Sequence, residues 1–368
     1  MKLSRIILLG ILTSVLFNCG TTGNTVAIQE KKPQEQPQGR EYIARTIGFY
    51  NLENLFDTIN DPATLDDDFT PSGKNVWTSE RYNRKIRNLS EVISRIGKKE
   101  TGMPPVVLGV AEVENRRVME DLVGSEKLKP YGYGIIHFDS PDRRGIDVGL
   151  IYMRKFFKPV NFKKYPLELY EDGQRIYTRD ALLVSGYLND EKIHVLVVHW
   201  PSRRGGEARS RPLRMKAAML DKHIIDSIQK AEPGAKIIMM GDLNDDPVSP
   251  SVKNVLHAQG KKADVIPGGL YAVMEHFYRA GIGTLAYRDS WNLFDQIFVS
   301  YPLIEGTTGN QKDYSTFKLW KAGIFNSPFL TNRSGAFKGY PYRTYAGGQY
   351  LGGYSDHFPV YIILIKHR

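Results

Sequence analysis

Apolar stretch after apolar stretch in this chain ends on an acid, an amide or a histidine, and that recurrence constrains the fold more than any other feature. Ile43, Ile47 and Phe49 lead into Asn51. The run 106–110 continues into Ala111-Glu112-Val113-Glu114-Asn115. The run 193–198 ends at His199-Trp200-Pro201-Ser202-Arg203, and 237–240 ends in Gly241-Asp242-Leu243-Asn244. Ser355-Asp356-His357 stands directly before the apolar run 358–365. Short apolar runs bounded by polar turns read as buried strands. Strand ends on one sheet edge converge, so these five can meet in one polar site. One carboxylate at a strand end is more often a turn former or a cap. Five such ends in one chain are not explained that way.

The other elements follow from periodicity. Strands are expected at 148–152, 181–188 and 294–299. A helix fits 79–97, capped by Ser79, with Tyr82, Ile86, Leu89, Ile93 and Ile96 at spacings of three and four. A second fits 213–229, with Leu213, Ala217, Leu220, Ile224 and Ile228 on one face. Strands outnumber helices and do not alternate with them regularly. The predicted fold class is therefore α/β: a four-layer sandwich, two mixed β-sheets face to face with helices outside. No internal repeat and no linker-like break interrupts residues 40–368.

Of the 368 residues, 41% are hydrophobic and 24% charged, which excludes a largely disordered or collagen-like chain. The single cysteine excludes an intramolecular disulfide framework and a zinc site built on several thiolates. Lys2 and Arg5 precede an apolar run over 6–17, too short to span a bilayer and suited to an export signal. Cys19 follows at once, which resembles a bacterial lipoprotein signal in which that cysteine is lipidated. The expected organisation is a signal peptide at 1–18, a flexible tether at 19–39 and one domain at 40–368. The expected location is export with a lipid anchor in the bacterial cell envelope. The net charge of +10 suits an anionic partner, whether nucleic acid, phosphate ester or acidic membrane, and equally a solvated basic surface.

With those motifs in order, the chain resembles the endonuclease/exonuclease/phosphatase superfamily, the deoxyribonuclease I-like fold, from about residue 43 to 365. The matching pieces are Phe49-Tyr50-Asn51, Val110-Ala111-Glu112, Thr178-Arg179-Asp180, Val198-His199, Gly241-Asp242-Leu243-Asn244, Phe294-Asp295-Gln296-Ile297 and Ser355-Asp356-His357. Ala111 stands where the family often has Gln. Asp147, in Arg144-Gly145-Ile146-Asp147, stands where a partner for a histidine is expected, and is assigned to orient His199.

Phosphoester hydrolysis needs a nucleophilic water, neutralised phosphate charge and a stabilised leaving oxygen. A hard divalent cation on oxygen ligands supplies the last two. Glu112 and Asp356 are the candidate ligands, with the Asn51 amide oxygen. Mg²⁺ or Mn²⁺ is favoured and Ca²⁺ is possible. By resemblance, Asp242 positions or deprotonates the attacking water and Asn244 orients the phosphate or Asp242. His357 contacts the phosphate with Asp295 on its far nitrogen, and His199 is a second histidine on the phosphate. Arg179 suits a phosphate oxygen, or an ion pair with Asp180 or another nearby acid. Arg203 and Arg204, beginning a run with Arg209, Arg211 and Arg214, suit a polyanionic backbone as a mobile loop, or form a solvated surface. Asp66-Asp67-Asp68 is expected to be a solvated loop.

The expected activity is that of a secreted or surface-anchored, divalent-metal-dependent phosphodiester hydrolase, foremost a nuclease and expected to be monomeric. A phosphatase or sphingomyelinase-type phospholipase of the same fold is the alternative, and an inactive surface binding protein is a third. A sphingomyelinase needs an apolar hairpin. The aromatics of 314–329 are interrupted by Lys318 and Lys321 and preceded by Lys312, which favours the nuclease.

Overall fold

The computed structural model describes residues 41–308 and 312–368; Cys19, the signal and the tether lie outside them. Glu41–Arg368 is one compact unit. Twelve strands make its two large sheets: β1 (Tyr42–Leu55), β2 (Val107–Val113), β3 (Tyr133–His137), β4 (Asp147–Met153), β5 (Phe157–Tyr165), β6 (Ala181–Leu188), β7 (Glu191–His199), β8 (Ile237–Asp242), β9 (Leu270–Ala272), β10 (Asp295–Ser300), β11 (Lys318–Ile324) and β12 (Val360–His367). The first sheet has the order β11-β12-β1-β2-β4-β3 and the second β9-β10-β8-β7-β6-β5. Each holds one parallel pair, β1 with β2 and β7 with β8, and is otherwise antiparallel.

Parallel neighbours need a crossover, usually helical, and each pair has one. Helix α1 (Ser79–Ile93) lies between β1 and β2, and α3 (Glu207–Ala231) between β7 and β8; a third helix, α2 (Arg116–Gly124), follows β2. One apolar core holds the facing sides of both sheets together with the buried faces of α1 and α2. A second lies between the outer side of the second sheet and α3, where Leu196, Val198, Ile237 and Met239 meet Ala217, Ile224 and Ile225. The sheets come close at Gly109, where an added Cβ would lie 2.8 Å from Met240 Sδ. The predicted four-layer sandwich is the observed fold.

Three boundaries differ from the periodicity. Helix α1 stops at Ile93, and the turn beyond reaches Gly97 at φ 64°, a left-handed conformation that ends helices. Its cap is Thr78, whose hydroxyl accepts from the Arg81 amide, while Ser79 is the first helical residue. Helix α3 starts at Glu207, six residues earlier than expected, with Pro212 inside its second turn. Ser210 Oγ bonding Gly206 O and the Glu207–Arg211 pair support that first turn. The 202–214 stretch is thus mostly helix, not loop. Asp66 is buried and accepts from the Asp61 amide, so only Asp67 and Asp68 are solvated as expected.

The topology explains why the polar ends meet. Asn51 lies where the regular pairing of β1 with β2 breaks, four residues before β1 ends, and Glu112, His199 and Asp242 lie at the carboxyl ends of β2, β7 and β8. The antiparallel strands β10 and β12 begin where their partners end. Asp295 therefore faces Asp242 in register, and Asp356-His357 lies just before β12.

Candidate active site

Asp242 lies between two histidines. Its Oδ2 accepts from Asn51 Nδ2 at 3.0 Å and its Oδ1 from the Asn244 amide at 2.9 Å. His199 Nε2 is 3.6 Å from Oδ2, and His357 Nε2 is 3.9 Å from it. Burial pushes the Asp242 carboxyl up, the His357 charge opposes this, and the Asp295 and Glu112 charges add to it; the result is about 6. A carboxylate near neutrality is suited to accept a proton from water.

The histidines are built differently. His357 Nδ1 is 2.6 Å from Asp295 Oδ2, with Asp295 wholly buried. Burial alone pushes His357 down, but the carboxylates of Asp295 and Asp242 outweigh it and hold the imidazole well above its usual range. His199 is also buried, yet its Nδ1 has no hydrogen-bond partner among the described residues. Desolvation, with the charges of Arg179, Arg144 and His357, pushes His199 well below its usual range.

Glu112 sits on a bulge of β2, where the register to both neighbours shifts, with φ at 60°. A bulge re-aims a side chain, and the Glu112 carboxylate turns so that Oε2 accepts from the Asn54 amide at 2.9 Å. Oε1 lies 4.0 Å from His199 Nε2. Asp356 is partly exposed; its Oδ2 accepts from Arg343 Nη2 at 2.7 Å and its Oδ1 lies 3.9 Å from His357 Nε2. Asn51 Oδ1 accepts from the Glu53 amide at 2.9 Å.

These donors fit a hard divalent cation. Glu112 Oε1 and Asp356 Oδ1 are carboxylate oxygens with no protein donor among the described residues. Both acids act on the same guanidinium, that of Arg343. By distance alone, Asp242, Asp295 and His357 also cluster within 4.8 Å. Their closest atoms are already joined as the His357–Asp295 hydrogen bond, so Glu112 and Asp356 are the better pair.

Several assignments made from sequence change here. Asp147 does not reach His199. Its Oδ2 is 2.9 Å from His137 Nε2 on the neighbouring strand and its Oδ1 accepts from the Ser140 amide and hydroxyl. Strand β4 pairs with β3, and that pairing, which the sequence pattern left out, takes Asp147 away. Arg179 is buried, with Nη1 on Asp142 Oδ2 at 3.0 Å and Nη2 on Trp200 O at 2.5 Å. The ion-pair alternative is the observed one, with Asp142 rather than Asp180. Arg203 donates to Asn244 O at 2.9 Å and Asp246 Oδ2 at 3.1 Å, and stacks on Phe294. Arg209, Arg211 and Arg214 pair with Glu171, Glu207 and Asp245. Only Arg204 of that run is exposed without an ion pair among the described residues. Asn244, at φ 49°, donates to Trp200 O at 3.0 Å, so it and Arg179 share one carbonyl.

Sequence reasoning missed Arg343, Glu53 and Lys85. Glu53 was within sight, two residues past Asn51, but Arg343 lies in a glycine- and tyrosine-rich loop with no periodic signal.

A model of the endonuclease/exonuclease/phosphatase family matches residues 46–366. The chain belongs to the endonuclease/exonuclease/phosphatase family. Members of this family are divalent-metal-dependent phosphoester hydrolases, and this chain is an enzyme of that type. Solved structures share its fold. A family protein from Bacteroides thetaiotaomicron is 16% identical, covering 88% of this chain and 98% of its own, with a TM-score of 0.53. A mannosyl-6-phosphatase from the same organism is 16% identical over 87% and 99%, with a TM-score of 0.52. A humanized D. rerio TDP2 is 15% identical over 87% and 98%, with a TM-score of 0.51. An uncharacterized lipoprotein of Staphylococcus aureus (strain COL) is 25% identical over 192 residues, which is 50% of this chain and 71% of the relative. Among the described residues no helix is long and apolar enough to cross a membrane.

Proposed function

We propose that the enzyme hydrolyses a compact phosphoester with a divalent cation on Glu112, Asp356 and the Asn51 amide, at the surface of the cell that exports it. The observation that carries this reading is Asp242 Oδ2 lying 3.6 Å from His199 Nε2 and 3.9 Å from His357 Nε2, with Asp295 on the far nitrogen of His357. In this reading Asp242 takes a proton from the attacking water, whose oxygen forms the new bond to phosphorus. The ester oxygen then leaves. Asn51 and the Asn244 amide keep the Asp242 carboxylate turned toward the water. His357 donates from Nε2 to a phosphate oxygen, and Asp295 keeps it charged. His199, neutral, donates one hydrogen bond from Nε2. When bound, the cation neutralises phosphate charge and stabilises the leaving oxygen.

The arginine run that suggested a nucleic-acid grip is largely neutralised by its own acids, which favours a small substrate such as a sugar or inositol phosphate. A nuclease is the second reading, supported by the net charge of +10 and the exposed Arg204. TDP2 from D. rerio has been solved with a single-strand DNA product, and the B. thetaiotaomicron relative is a mannosyl-6-phosphatase, so the fold accommodates both. The segment 314–329, weighed as a membrane hairpin, has edge strand β11 at its centre, with Lys318 buried and Lys321 bonded to Glu100. A panel of DNA, RNA, sphingomyelin, inositol phosphates and hexose phosphates, each with Mg²⁺, Mn²⁺ and Ca²⁺, tests the reading. Turnover of a small phosphoester that stops with chelator is expected. Faster turnover of DNA or RNA than of every small substrate would replace it with the nuclease.

Anchoring is proposed through lipidated Cys19, supported by the lipoprotein relative. Cys19→Ser should move the protein from the membrane fraction to the soluble one. Retention on membranes through an uncleaved N-terminal segment would defeat that reading.

A further inference from the structure

Arg343 lies in the loop between β11 and β12. Its guanidinium donates from Nη2 to Asp356 Oδ2 at 2.7 Å and from Nε to Glu53 Oε1 at 3.3 Å. Nη1 makes no hydrogen bond among the described residues, and the side chain is 44% exposed. A guanidinium carries five N–H donors, so most of this one is free. The group lines a cavity of about 120 Å³ with Asn54, Asn75 and Tyr345.

Beneath it is a buried charge pair. Glu53 is 6% exposed and Lys85, from α1, only 1%. Glu53 holds the loop twice, through Arg343 Nε and through the Thr344 amide on its Oε2 at 2.7 Å. Lys85 Nζ is 3.6 Å from Glu53 Oε2 and donates to Thr344 Oγ1 at 2.6 Å and Tyr354 O at 2.7 Å. Burying two charges costs several kcal/mol per ion before their attraction offsets it. Glu53 also sits at φ 51°, a conformation unfavourable for a side-chain-bearing residue. The visible result of both costs is one fixed guanidinium beside Asp356 and Glu112.

An arginine that only held Asp356 would have no need to keep free N–H donors on a side chain that lines a cavity. We propose that Arg343 is the arginine that binds the substrate phosphate, its free N–H edge meeting the phosphate oxygens while Glu53 keeps Nε. This assignment rests on the phosphoester-hydrolase reading above. It gives the site the planar fork that Arg179 and Arg203 were expected to supply.

The test compares the full chain with Arg343→Ala, Arg343→Lys and Arg343→Gln. Inorganic phosphate binding is measured by calorimetry in saturating Mn²⁺, Mn²⁺ affinity by electron paramagnetic resonance without phosphate, and turnover with bis(p-nitrophenyl) phosphate. Arg343→Ala should weaken phosphate binding about tenfold or more while Mn²⁺ affinity stays within about threefold. Arg343→Lys should recover only part of the loss, because a point charge lacks the fork. Should the alanine variant fail to fold, the lysine and glutamine variants carry the same comparison. Unchanged phosphate affinity in a folded variant overturns the assignment. So does a loss of Mn²⁺ affinity with phosphate binding to the loaded protein intact, which would make Arg343 a support for Asp356 alone. A parent chain that neither binds phosphate nor turns over the diester overturns the phosphoester-hydrolase reading itself.

Discussion

His199 and His357 both close on Asp242 Oδ2, and the chain prepares them in opposite ways. His357 has a buried carboxylate on Nδ1, which favours its charged form; His199 has cationic neighbours and, among the described residues, nothing on Nδ1, which favours its neutral form. Both are buried, so burial does not decide their charge. What decides it is the partner the sheet register supplies. Strand β10 pairs with β8 so that Asp295 stands opposite Asp242 and within reach of His357. On the other side, β4 pairs with β3, and Asp147 goes to His137 instead. One site thus holds a charge donor and a neutral hydrogen-bond donor, made from the same residue type.

The largest effect should come from breaking the charged half. Asp295→Asn removes the carboxylate that holds the imidazolium, and turnover should fall ~10²–10³-fold with metal affinity kept. His357→Ala should cost at least as much. The double variant should cost little more than either alone, because the pair acts as a unit. Steady-state turnover of a small phosphodiester checks all three; near-parent activity of His357→Ala would remove His357 from the mechanism. On the other side, Glu112→Ala should differ in kind. Its lost activity should return in part as Mn²⁺ is raised, whereas that of His357→Ala should not. A titration of rate against metal concentration separates the two.

The neutral half should be less sensitive. His199→Ala should lower turnover by ~10²-fold, the low end of the range for one positioned hydrogen-bond donor. His199→Gln should recover part of that, because an amide N–H replaces a neutral N–H but could not replace an imidazolium. A glutamine no better than alanine would mean that His199 acts through its charge.

The asymmetry between the histidines divides what the sequence discloses from what it hides. The polar strand ends, the two-sheet sandwich and the Asp242, Asp295 and His357 set follow from short-range pattern and motif order. Partners that depend on which strands pair do not. Asp147 was assigned to the wrong histidine because β3, a five-residue strand, carries too little signal to announce that it pairs with β4. Arg203 looked like a phosphate ligand because it follows His199, but its acids, Asp245 and Asp246, arrive from the turn after β8. Arg343 was overlooked because a loop residue is placed by Glu53 and Lys85, remote in sequence and both buried.

The smallest effect tests the scaffold behind His199. Trp200 continues the chain from His199, its amide bonds Asp242 O, and its carbonyl receives Arg179 and Asn244. Its indole donates to Asp221 Oδ2 at 2.7 Å, inside α3. Burial pushes the Asp221 carboxyl up to about 8, the Trp200 hydrogen bond opposing it. Below about pH 4, near the ordinary carboxylate value, folded and unfolded chains both hold this proton and the group has no effect on stability. From about pH 4 to 8 the unfolded chain loses the proton while the folded chain keeps it, so stability falls as pH rises. Above about pH 8 the loss is constant, at most on the order of 5 kcal/mol. Asp221→Asn can still accept from the indole and carries no charge. Its melting temperature should lie below the parent's near pH 4, where a buried amide N–H without a partner costs about 1–3 kcal/mol, and should rise past the parent's toward pH 8. Near pH 8 the net gain should be about 2–4 kcal/mol, the pH-dependent loss of the parent less that cost. Thermal melts at pH 4, 6 and 8 measure it, and turnover should change little, because the Trp200 carbonyl keeps both of its donors. A gain that shrinks as pH rises would mean that Asp221 is ionised in the folded enzyme and paired with a charge. A large loss of turnover at pH 7 would show instead that the acid is needed to set Trp200, and that the neutral half of the site depends on a buried carboxyl as the charged half depends on Asp295.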